Sequence, residues 1–87
     1  MPYIEPGTRP KVLKLGPTNA GELNYAITHL VRQYIASHYN YATFNEVVGV
    51  LECAKLELYR RMISEYEDRK CKENGDVYDE YKPEAGW

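Results

Sequence analysis

The stretch TFNEVVGVLECAKLELYRRMISEYEDRKCKENG, residues 43–75, decides the fold. Its apolar residues recur at helical spacing, so it reads as one long amphipathic helix. On a wheel at ~100° per residue, Val47, Leu51, Ala54, Leu58 and Met62 line up as one stripe. Val48, Tyr59, Ile63 and Tyr66 form a second, with Leu56 at its far edge. Together the stripes span roughly 200°, about twice what a one-sided surface helix needs. The preceding helix can cover only about half of that arc, so the remainder predicts self-association. Glu52 and Lys55 fall inside the arc and are expected as a buried or interfacial ion pair.

Working outward, Thr43 and Glu46 form a T-x-x-E capping box, which starts this helix at Phe44. Gly49 lies inside it at a cost of ~1 kcal/mol relative to alanine. Asn74-Gly75 supplies a left-handed stop, with Arg69, Lys70 and Lys72 suited to the negative end of the helix dipole. Upstream, Leu23, Ile27, Leu30, Val31 and Tyr34 recur at helical spacing behind an Asn19/Glu22 capping pair. The predicted helices therefore run over about 20–37 and 44–73, joined by a short link that favours antiparallel neighbours.

Residues 1–18 carry Pro2, Pro6, Pro10 and Pro17 together with Gly7 and Gly16, and read as an extended arm. Within that arm Lys11–Leu15 alternates weakly, as a short strand or an apolar strap would. Residues 76–87 form an acidic, aromatic tail with Tyr78, Tyr81 and Trp87.

An 87-residue chain is one small domain, and assembly is a common remedy for a modest core. At 44% hydrophobic and 28% charged residues the composition is globular. A net charge of −2 gives no global attraction to a nucleic-acid polymer or an anionic membrane. Nine tyrosines suit half-buried interfaces and ligand pockets, as well as a small core finished with amphipathic rings. Cys53 and Cys71 lie ~27 Å apart on one helix and are expected as free thiols. The absence of a signal peptide and of an apolar run near 18 residues predicts a cytoplasmic protein.

No phosphate-binding loop, dinucleotide fingerprint or nucleophile elbow occurs, and His29 and His38 have no metal-ligand spacing. Neither a cofactor nor a metal is expected, and the balance is against an enzyme. Glu65 and Asp68 form an E-x-x-D that superficially resembles the Mg²⁺-holding pair of the all-α nucleotide pyrophosphatases. The preceding helix, however, offers only Glu22 without a second carboxylate at i+3. The stronger set is Lys55, Tyr59, Arg60 and Arg61. Symmetry could gather copies of these cations and rings around an anionic, aromatic ligand. Tyr66 would stack, and Asn24 or Tyr25 would add hydrogen bonds. The alternative is a set of ordinary ion pairs that fix the register of an interface.

Asn24–Thr28, Glu52–Arg61, Tyr66–Asp68 and Glu73–Tyr78 resemble a family of short uncharacterised proteins associated with tailed phages and prophages. The resemblance begins at Met1–Ile4 and extends to Tyr78, leaving the tail outside it. It implies a phage setting, host cytoplasm and no assigned activity. Small phage proteins without enzyme motifs are often inhibitors, adaptors or oligomeric sponges for a nucleotide.

These readings predict an all-α helical hairpin with a long second helix and an extended arm, assembled as a bundle-type, even-numbered homo-oligomer. Val47, Val48, Leu51, Glu52, Leu56 and Ile63 are the expected interface. The first functional expectation is a non-catalytic protein that sequesters a small anionic, nucleotide-like ligand between subunits. The second is an interaction or inhibitor module docking on a host protein through the apolar face or the tail. A metal-dependent nucleotide hydrolase comes third.

Overall fold

Proline enters the first helix of this chain where it does least harm. In the computed structural model, which describes residues 1–79, a 3-10 turn over Pro6–Thr8 leads into α1, Arg9–Leu15. Pro6 and Pro10 sit in the opening positions of these two elements, where a missing N–H removes no internal hydrogen bond. The extended arm expected over residues 1–18 is thus largely helical. Lys11–Leu15 is helical and not a strand, and it lies over α2 as an apolar strap would, with Val12 the most deeply buried apolar residue at 2% exposure. Gly16 ends α1 at φ +95°, its N–H donating to the Val12 carbonyl at 2.8 Å, with Pro17 directly behind it.

Helix α2, Ala20–Ser37, has the predicted bounds. Its start is capped reciprocally: the Glu22 N–H donates to Asn19 Oδ1 at 2.9 Å, while the Glu22 carboxylate accepts from the Thr18 N–H and hydroxyl. Helix α1 packs on α2. The chain start lies beside Gly21, where a Cβ would make ordinary contacts of 3.7 Å with Ile4 Cγ2 and the Met1 carbonyl.

The last helical run extends from Tyr41 to Asn74, 34 residues. It comprises α3, Tyr41–Leu58, a π-helical segment, Tyr59–Ile63, and α4, Ser64–Asn74. Its start corrects the expected Thr43 cap. Asn40 Oδ1 accepts from the Thr43 N–H at 2.8 Å, so the helix begins three residues earlier. Asparagine is the better capping residue of the two. Thr43 becomes a buried helical residue at 5% exposure, and Glu46 accepts a hydrogen bond from the Tyr34 hydroxyl at 3.3 Å. The Tyr39 and Phe44 rings meet edge to face, 5.2 Å between centroids, across the short α2–α3 link. Gly75 closes α4 at φ +89°, as the Asn74-Gly75 pair predicts, with its N–H on the Cys71 carbonyl.

Residues 1–48 and 49–87 form two compact units. The first contains every buried residue described: Val12, Thr43 and Val47. Between Gly49 and Asp79 none is buried, and Ser64 alone is half-buried. Of the two apolar stripes predicted on the long helix, Val47 is therefore the single buried member, a smaller coverage than the half expected. No described helix is long and apolar enough to cross a membrane. Tyr81 and Trp87 of the predicted tail lie outside the described residues.

Candidate functional site

The residues expected to bind a ligand fall into both compact units. Lys55, Tyr59, Arg60, Arg61 and Tyr66 belong to the second, Asn24 and Tyr25 to the first.

In the second unit, Tyr59, Arg60 and Arg61 occupy the π-helical segment, where the Ser64 N–H reaches back to the Tyr59 carbonyl. That five-residue reach widens the turn, and such turns are rare and frequent at functional sites. Glu57 gathers both guanidinium groups, Arg60 at 2.8 Å and Arg61 at 3.9 Å. One turn earlier Glu52 and Lys55 meet at 3.5 Å. Within one chain this pair is exposed, its side chains 55% and 71% accessible. Tyr66 carries Arg69 and Lys70 over its ring at 5.7 and 5.8 Å. The expected interface residues Val48, Leu51, Leu56 and Ile63 are exposed around these groups, as are Leu58 and Met62. Chemically this is a helix surface with cations and ring faces on a broad apolar ground.

Cys53 and Cys71 are exposed free thiols. Partial desolvation, followed by the negative charges of Asp76, Asp68 and Asp79, pushes the Cys71 thiol above its ordinary value. That environment disfavours the thiolate a nucleophile needs. Among the described residues no group of three or more His, Cys, Asp or Glu side chains is placed to hold a metal ion. Glu65 and Asp68 gain no third ligand there.

In the first unit, Asn24 accepts from the Thr28 hydroxyl at 3.4 Å. Tyr25 lies 6.0 Å from the His29 ring and under the Arg9 guanidinium at 5.7 Å. Arg9, Tyr25, Thr28 and His29 line a groove of about 450 Å³ with Tyr3 and Arg32, and Asn24 lies outside it.

Residues 1–77 match the family described as Domain of unknown function (DUF6899). The chain belongs to that family. No curated protein and no solved structure matches it. The DUF6899 match ends just before Tyr78, close to the limit of the resemblance seen in the sequence, and it spans α1 through α4 and both sets of residues above.

Sequence reasoning missed two features of this DUF6899 chain. The π segment is set by backbone register, and periodicity averages over one extra residue in a turn. The groove depends on Arg9 reaching Tyr25 across 16 positions. The available signal was the i, i+4, i+7 spacing of Tyr25, His29 and Arg32 on one face of α2.

Proposed function

We propose that this chain is a non-catalytic binding protein that assembles through its last helix and captures a small anionic, nucleotide-like ligand between subunits. One observation carries the reading. From Gly49 to Asp79 no residue is buried, although Val50, Leu51, Leu56, Leu58, Tyr59, Met62 and Ile63 stand on the helix surface. Apolar area of this extent is stabilised by removal from water. A second copy offers a self-complementary face, and two-fold pairing is the commonest closed symmetry. Pairing would set Lys55, Tyr59, Arg60, Arg61 and Tyr66 beside their counterparts, with forked donors and ring faces suited to a phosphorylated aromatic molecule. The phage and prophage setting of the proteins this chain resembles favours an accessory role in the host cytoplasm. The same exposed face supports a second reading, docking on a different protein.

Light scattering at micromolar concentration, followed by calorimetry against a nucleotide panel, tests the proposal. The expected result is a mass at an even multiple of 10.1 kDa and a nucleotide-binding event that appears with assembly and that Arg61→Gln abolishes. A stable 10.1 kDa particle removes the assembly and leaves the second reading.

A further inference from the structure

The groove in residues 1–48 combines guanidinium groups with tyrosine and histidine rings. Its floor is one face of α2, where Tyr25, His29 and Arg32 follow at successive turns. Its wall is the chain start: the Arg9 Nε–H donates to the Ile4 carbonyl at 3.1 Å, and its guanidinium covers the Tyr25 ring. Arginine has five N–H donors, so the Ile4 bond leaves the terminal nitrogens of Arg9 free to serve a ligand. Arg32 makes no ion pair among the described residues, whereas Arg60 and Arg61 share Glu57. Among the described residues no carboxylate lines the groove. In a chain of net charge −2, two guanidinium groups that form no ion pair among the described residues are a local concentration of positive charge.

The groove also offers rings. Tyr3 is largely exposed at its edge, and Tyr25 forms part of the floor. A volume of about 450 Å³ lies within the range of small-molecule sites, roughly 300–1,000 Å³. Planar guanidinium forks match phosphate oxygens, and tyrosine faces match a flat heterocycle.

We propose that this groove binds a phosphate monoester carrying a planar ring, of the class of a nucleoside monophosphate. Arg9 and Arg32 take the phosphate, and the exposed Tyr3 takes the ring. This site is distinct from the one proposed on the last helix, because all its residues lie within the first compact unit. It does not require assembly.

Calorimetry on the full chain with AMP, and separately with inorganic phosphate, tests it. AMP is expected to bind one per chain, phosphate more weakly, and Arg32→Gln to weaken AMP at least about tenfold. Lys72→Gln, an exposed change on the last helix outside both proposed sites, is expected to leave this binding unchanged. Arg32 is exposed and makes no hydrogen bond or ion pair among the described residues, so Arg32→Gln should keep the far-ultraviolet circular dichroism of the parent chain. Absence of AMP binding at millimolar concentration overturns the proposal, as does an affinity indifferent to Arg32→Gln. Loss on Arg61→Gln alone moves the ligand to the last helix and also overturns it. Equal affinities for AMP and phosphate overturn the assigned ligand class, since the rings would then contribute nothing.

Discussion

The two halves of this chain are stabilised by different means. Residues 1–48 contain Val12, Thr43 and Val47 out of water, two helix starts capped by Asn19 and Asn40, and an arginine tied to both Ile4 and Tyr25. Residues 49–79 contain no buried residue. Their ion pairs, Glu52–Lys55, Glu57–Arg60, Glu57–Arg61 and Lys70–Glu73, are all local to one or two turns and exposed. Pairs of that kind contribute about 0.3–0.5 kcal/mol each. Helical stability in proteins comes chiefly from packing of an apolar face. The first region has a small measure of such packing within one chain, and the described residues of the second have no buried member.

The strongest way to break this comparison is to charge the exposed face. Full burial of a leucine-sized side chain contributes about 1.5–3 kcal/mol. In a two-fold assembly the loss is counted twice, so Leu56→Asp should raise the dissociation constant at least about a hundredfold. Light scattering should then report a lower mass, and circular dichroism less helix on dilution. Val12→Ala is the matching change in the first region, where removing two methyl groups from a buried site should cost about 2 kcal/mol. Its melting loss should persist at every protein concentration. If Leu56→Asp changes neither mass nor helicity, the second region stands without a partner and the comparison fails.

The sequence reading succeeded where a short range signal settles the structure. The Asn19–Glu22 pair marks the start of α2 within four residues, and Gly75 marks the end of α4 by its positive φ. It failed where two local signals compete. Asn40 and Thr43 are both capping residues three positions apart, and the earlier one wins because Thr43 is buried in the first turn of α3. Prolines were counted as breakers throughout residues 1–18, yet Pro6 and Pro10 open a turn and a helix. Of the candidate site, the Glu52–Lys55 spacing was legible because three residues on a helix are neighbours. The groove was not, because tertiary folding of α1 brings Arg9 to Tyr25.

A smaller change sharpens the account of the second region. Gly49 is helical, and a Cβ built there meets no atom within 4 Å. Gly49→Ala should therefore stabilise the helix by about 1 kcal/mol, seen as a higher melting temperature at unchanged mass. A fall in mass would instead place Gly49 at a close helix–helix approach between copies, where a methyl group cannot fit.

The smallest effect concerns acid. The N–H and then the hydroxyl of Thr18 hold the Glu22 carboxyl below its ordinary value, with Asn19 and the Lys11 charge adding to them against some desolvation. A carboxyl whose value is lowered by folding favours the fold while ionised. Its support is present at neutral pH, above the unfolded value of about 4.3, and is lost as pH falls through the lower folded value. Melting followed by circular dichroism at pH 7 and pH 3 should show a drop that is smaller in Glu22→Gln. The comparison must be made between the two proteins, since other carboxylates titrate in the same range. Because Glu22 caps α2 and lies in the packed region, the difference should appear in Val12→Ala and Leu56→Asp backgrounds alike. An equal drop in parent and Glu22→Gln would place the acid sensitivity outside the α2 cap.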